Sequence, residues 1–179
     1  MTISKYATYY GEKWGKVGFN GKPSRGGILF RGVNKLNLDA KGRLAVPTRY
    51  REQLRVSCGS QLVITVDTDH CLQIYPLPEW EKFEGKLMKL SSFNKTIRRV
   101  QRLLVGHAVE VEMDGQGRIL LPPPLREFAG LEKYAMLIGQ GKKFELWDEA
   151  RWTEQRDGWL ENVDLEDLEL PTELESLSI

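Results

Sequence analysis

The stretch "LDAKGRLAVP", Leu38 to Pro47, has an echo further along the chain in "MDGQGRILLPPPLRE", Met113 to Glu127. Both run Asp, two residues, Gly, Arg, a short apolar strand, Pro, then a helix. The turn aspartates are offset by 114 − 39 = 75 residues. Further on, Trp147 matches Tyr75 and Trp152 matches Trp80 at an offset of 72, because the second hairpin turn is three residues shorter. Elements repeated in one order, with their aromatics in step, mark an internal duplication. In a chain of 179 residues this means two half-domains sharing a core rather than two large independent domains.

The elements of the first copy follow from periodicity. Leu36 and Leu38 alternate with Asn37, as in a half-buried strand. After the turn comes the short strand "RLAVP", and Pro47 with Thr48 opens the helix "PTRYREQL". A hairpin pairs Leu62 to Val66 with Leu72 to Tyr75 across the polar turn Asp67 to His70. Trp80, Phe83, Leu87 and Leu90 mark one helix face, and Asn94 caps a second helix with the stripe Ile97, Val100, Leu103 and Leu104. The second copy gives strand "AVEVEMD", strand "RILLP", a helix closed by Gly130, and hairpin "YAMLIGQGKKFELWD". Residues 1–28, Gly-, Lys- and Tyr-rich and without hydrophobic period, read as a flexible extension. Residues 29–105 form the first repeat with its helix pair, 106–152 the second, and 153–179 an acidic tail.

The net charge of +1 hides a strong asymmetry. Residues 144–179 hold twelve Asp or Glu against Arg151 and Arg156, a net of −10, so residues 1–143 carry +11. A basic body attracts polyanions. The acidic tail serves solubility or screens that body. No apolar run approaches the roughly 18 residues of a membrane span, and no signal peptide is visible, so a cytoplasmic address is expected. Cys58 and Cys71 are expected as free thiols in that compartment.

In each copy the aspartate, Asp39 or Asp114, can accept backbone N–H groups ahead of it, and Gly42 or Gly117 can take the positive φ of a tight reversal. The arginine that follows has two readings. It pairs with the turn aspartate as a structural fork, or it projects as a donor to nucleic acid. Arg31, Lys35, Lys41, Arg43, Arg49 and Arg51 crowd into one short stretch, which strengthens the second reading. Cations on phosphates give salt-sensitive affinity, and an arginine in a major groove can grip O6 and N7 of guanine.

The segments "LFRGVNKLNLDAKGRLAVPTRYREQL", "YPLPEWEKFEGKLMKL", "RRVQRLLVGHAVEVEMDGQGRILLPPPLREFAGL" and "GQGKKFELWDEARW" resemble the MraZ family of bacterial transcriptional regulators. The resemblance runs from about Leu29 to Trp152. It implies an α+β fold, a duplicated swapped-hairpin β-barrel of the AbrB type with helices packed outside, both halves carried in one chain. It also implies a ring-shaped homo-oligomer that binds double-stranded DNA at G-rich direct repeats upstream of a cell division and cell wall gene cluster, with repression the expected outcome and the nucleoid the expected location. Carried over by position, Lys41 and Arg43 are DNA contacts, Arg31 in "FRG" is a neighbouring one, and Arg118 is the second copy's counterpart of Arg43. Gln116 stands where the first copy has Lys41, which favours the first turn as the main reader. The residues before Leu29 depart from the family pattern, whose chains start near "FRG".

Other clusters have blander readings. "DTDHC" is a polar hairpin turn rather than a metal site, since nothing else converges on it. His107 is a capping or packed residue, and "GQGKK" lies in a hairpin turn rather than a nucleotide loop. "RRVQR" is a solvated helix face or one that pairs with acidic "ENVDLEDLE" of a neighbouring subunit. Trp80, Trp147 and Trp152 are packing residues. No acid/base pair or nucleophile constellation is visible, so no enzyme, cofactor or metal is expected. The rival function is an oligomeric scaffold without sequence-specific DNA readout.

Overall fold

The computed structural model describes residues 29–161; the expected N-terminal extension (1–28) and residues 162–179 of the acidic tail lie outside the described residues. The first repeat runs β1 (Phe30–Asn37), β2 (Arg43–Ala45), α1 (Thr48–Cys58), β3 (Gln61–Val66), β4 (Leu72–Pro76) and α2 (Leu77–Leu87). Helix α3 (Lys95–Leu104) follows. The second repeat gives β5 (Val109–Glu112), β6 (Arg118–Leu120), α4 (Pro123–Phe128), β7 (Tyr134–Gly141), β8 (Lys143–Asp148) and α5 (Glu149–Glu161). Residues 153–161, read from sequence as the start of the tail, are the body of α5.

Six strands pair in the order β1-β7-β8-β4-β3-β5, and β2 pairs with β6 in a separate ribbon; every pairing is antiparallel. Replacing each strand by its repeat equivalent reverses the six-strand order onto itself. A pseudo-twofold axis therefore passes between β4 and β8, where Gln73 opposes its own equivalent Glu145 (73 + 72 = 145). It also passes through the ribbon, where Leu44 opposes Ile119 (44 + 75 = 119). The outer strands are exchanged: β1 lies on β7 of the other repeat and β5 on β3. The expected barrel is not closed, because β1 and β5 end the sheet at opposite edges and do not pair with each other.

The swap produces one core. Leu44, Leu54, Leu62, Ile64 and Leu72 of the first repeat pack with Ile119, Leu121, Leu137, Phe144 and Leu146 of the second. Each such side chain contributes about 1.5–3 kcal/mol on burial. Neither half holds enough of them alone.

Strand β3, "QLVITV", is buried on both faces. Leu62, Ile64 and Val66 enter this core, while Val63 joins Tyr75 and Trp80 in a second cluster reached by Phe83 of α2 and Leu104 of α3. Thr65 anchors α3 there, its hydroxyl donating to the Leu104 carbonyl at 2.5 Å.

Local signals explain most boundaries. Pro47, Pro76 and Pro122 stand just before α1, α2 and α4 with φ of −54°, −57° and −55°, the angle a helix start requires. Asn94 caps α3 by accepting from Thr96 and Ile97. Leu90 departs from expectation: α2 ends at Leu87, and Leu90 lies in the following loop, 49% exposed. The α3 stripe is only half-covered, with Ile97, Val100 and Leu104 half-buried and Leu103 exposed.

Candidate nucleic-acid interface

The two DxxGR turns close with the same bonds. Asp39 Oδ1 accepts the N–H groups of Lys41 and Arg43, both at 2.9 Å; Asp114 Oδ1 accepts those of Gln116 at 2.9 Å and Arg118 at 2.8 Å. Gly42 and Gly117 take φ of +76° and +77° and donate to the carbonyls of Asp39 and Asp114 at 2.8 Å. Glycine accepts this left-handed backbone without strain. Both turns lead into the ribbon, whose inner face is Leu44 and Ile119. Side chains alternate along a strand. Arg43 and Arg118 therefore share the outer face, at opposite ends of the ribbon, where they face Leu120 and Ala45.

Each arginine is tied to its own turn. Arg43 Nε reaches Asp39 Oδ2 at 2.7 Å and its Nη2 the same oxygen at 2.7 Å; Arg118 does likewise on Asp114 at 2.9 and 2.8 Å. The structural fork anticipated from sequence is thus what the structure holds. It leaves Nη1 of each guanidinium without a hydrogen bond among the described residues, and both arginine side chains stay partly exposed, at 30% and 31%. The Arg43 N–H and then its guanidinium pull the Asp39 carboxyl down to about 2. The same bonds from Arg118 hold Asp114 below the usual aspartate value.

The remaining sequence candidates fall into different places. Lys41 is exposed on the first turn. Arg31 is not beside it: the six remaining residues of strand β1 run between the two, roughly 20 Å of extended chain. Arg31 instead lies near Arg49, which bonds Asn34 Oδ1 at 2.8 Å and the Arg31 carbonyl at 3.5 Å and rests on the Tyr50 ring at 4.7 Å. Lys35 pairs with Glu149 at 2.6 Å.

Two further arginines sit on the turns: Arg51, which the sequence offers only as one of a basic cluster, and Arg126, which no sequence motif singles out. Arg126 of α4 packs on Gly42, where an added Cβ would lie 2.6 Å from its Cζ. Arg51 of α1 packs on Gly117, where a Cβ would lie 2.3 Å from its Nε. These are repeat equivalents (51 + 75 = 126), so each repeat lays an arginine across the other's turn. Backbone bonds repeat the exchange: Val46 donates to Gly117 at 2.8 Å and Leu121 to Gly42 at 3.0 Å. The 75-residue offset was the available signal, but only the fold shows which turn each arginine meets.

The other clusters named from the sequence take these places. Asp67 collects Thr68, the Asp69 N–H and the Gln73 amide, as a polar turn does. His107 bonds the Leu103 carbonyl at 2.9 Å at the end of α3. Trp80 and Trp147 are buried, and Trp147 meets Trp152 and Trp159. Cys58 and Cys71 are free, and burial pushes the Cys71 thiol up. Among the described residues no group of three His, Cys, Asp or Glu is placed to hold a metal, and no helix is long and apolar enough to cross a membrane.

Comparison with known proteins adds an independent line. The family model described as "MraZ protein, putative antitoxin-like" matches twice, over residues 29–103 and 104–164, once for each repeat. A protein of Methylococcus capsulatus named transcriptional regulator MraZ is 61% identical over 141 residues, covering 79% of this chain and 93% of that protein. Proteins of the same name from Thioalkalivibrio sulfidiphilus and Halorhodospira halophila are 58% and 57% identical, each covering 84% of this chain and their own full length. The duplicated turn, the exchanged strands and this extent of identity have one origin: the chain belongs to the MraZ family.

Proposed function

We propose that this protein is a DNA-binding transcription regulator, a repressor of a bacterial cell division and cell wall gene cluster, that acts in the cytoplasm on the nucleoid as a ring-shaped homo-oligomer. The reading rests above all on one observation: two arginines related by the pseudo-twofold share the outer face of a short ribbon, each oriented by its own aspartate. A two-stranded ribbon fits a B-DNA major groove, about 12 Å wide, and an arginine edge there reads guanine. Arginine favours guanine, which agrees with the G-rich direct repeats that the family resemblance implies. The relatives' name, transcriptional regulator, supports the same reading. One ribbon spans few base pairs, so ring multiplicity supplies affinity through effective concentration.

The pairing of Arg43 with Asp39 favours a second reading, a scaffold in which these arginines serve only the turn. Fluorescence anisotropy separates the two. A duplex with several spaced G-rich repeats is expected to bind much more tightly than a scrambled duplex, with affinity falling steeply as salt rises. Equal affinity for both duplexes at moderate salt would leave only a basic scaffold.

A further inference from the structure

Three cations and one carboxylate meet at the first turn. Lys41 and Arg43 belong to the turn, and Arg126 arrives from the other repeat with its guanidinium packed on Gly42. Asp39 is already engaged by Arg43. Arg126 has no such partner: its Nε is buried without a hydrogen bond, and no ion pair or hydrogen bond reaches its guanidinium among the described residues. Arg51, its equivalent at the second turn, is settled differently, because its Nε donates to the Val46 carbonyl at 2.7 Å.

Buried donors in folded proteins are normally satisfied, and a half-buried cation beside like charges lacks a compensating anion. The one nearby carboxylate, Asp39, already accepts from the Lys41 and Arg43 N–H groups and from the Arg43 guanidinium, and no bond joins it to Arg126 among the described residues. The planar fork of an arginine suits the paired oxygens of a phosphate.

We propose that Arg126 binds a DNA backbone phosphate beside the first turn, whereas Arg51 is a structural clamp on the second. This inference rests on the DNA-binding reading above. The first site is then composite: Arg43 of one repeat meets the base edge, and Arg126 of the other fixes the register. Phosphate contacts position a protein on DNA while base contacts specify sequence.

The test compares Arg126→Met, Arg126→Lys, Arg51→Met and Arg43→Ala in the full chain. Each is titrated with repeat and scrambled duplexes over a salt series and melted in phosphate and in chloride at matched ionic strength. Arg126→Met is expected to weaken both duplexes by a similar factor, about tenfold, and to lower the salt slope by about one. Arg126→Lys should keep the slope with a smaller loss, and Arg51→Met should lower the melting temperature while leaving the slope alone. Wild-type affinity and slope in Arg126→Met would overturn the inference, as would a slope unchanged in the folded variant. Stabilisation of wild type, but not Arg126→Met, by free phosphate with no change on DNA would also overturn it, since the site would then take a free anion. Arg43→Ala keeps the two claims apart: if it loses repeat-specific binding while Arg126→Met is silent, only this inference fails. If Arg43→Ala also binds the repeats as wild type does, the DNA-binding reading itself fails.

Discussion

Turn 39–43 and turn 114–118 match bond for bond, yet their outward-facing neighbours have opposite charge. With Lys35 paired to Glu149, Lys41 and Arg43 against Asp39 leave the first segment at +1, while Glu110, Glu112 and Asp114 against Arg118 leave the equivalent residues of the second at −2. The conformation depends on Asp, Gly and the amides between them, and these are the same in both copies. Positions 35, 37 and 41 point away from the core, and their equivalents 110, 112 and 116 do too, so no packing constraint holds them alike. Duplication preserved the scaffold, and the surface was free to specialise. An acidic approach to the second turn repels a phosphate backbone that the first turn attracts.

Substituting the two arginines separately would break or secure this contrast. Arg43→Ala is expected to cost about 2–3 kcal/mol of repeat-specific binding per site, the upper range for a good bidentate base contact. Arg118→Ala should cost about 1 kcal/mol or less, since its surroundings already discourage DNA. Anisotropy titrations of both variants, with oligomer size checked by light scattering, measure the difference. Equal losses would mean that the pseudo-twofold acts symmetrically and that the charge contrast has no functional weight.

The glycines should behave in the opposite way, as equals. Gly42→Ala and Gly117→Ala both place a Cβ on a left-handed backbone and against a covering arginine. A destabilisation of about 1–3 kcal/mol is expected for each. For a chain of this size that lowers the melting temperature by about 2–4 °C for every kcal/mol. A large difference between the two would show that Arg51 and Arg126 yield unequally, and that backbone identity does not extend to the side chains above it.

What could be read in the sequence was local or periodic. The Asp–Gly geometry of both turns, the Asn94 cap, the proline helix starts and the three-residue deficit in the second hairpin are all set by near neighbours. The exchange of β1 and β5 was beyond such reading, because Leu36 and Val111 look the same whichever strand lies beside them, and nothing local chooses β7 over β3 as the partner of β1. Arg31 shows the same limit. It is twelve residues before Arg43 in sequence, but an extended strand carries it to the far end of β1. Arg126 shows the converse, since it stands 83 residues after Arg43 and covers the adjoining glycine. In both cases distance along the chain is a poor guide to distance in space.

The smallest expected effect concerns the aspartates, and it tests how firmly the arginines are held. Asp39 is drawn down to about 2 and Asp114 below its ordinary value, chiefly by the arginine N–H. A carboxyl lowered in the folded state stabilises the fold above its unfolded value, about 3.9, and that contribution disappears as pH falls towards the folded value. Both turns should therefore be indifferent to pH between about 5 and 8 and loosen only in acid. Asp39→Asn should remove the acid sensitivity of the first turn and leave the second as it was. A carboxyl-detected NMR titration measures each midpoint directly. Should Asp39 titrate near the ordinary value, its bonds to the Arg43 N–H and guanidinium would not persist in solution, and Arg43 would meet DNA as a mobile cation rather than an oriented fork.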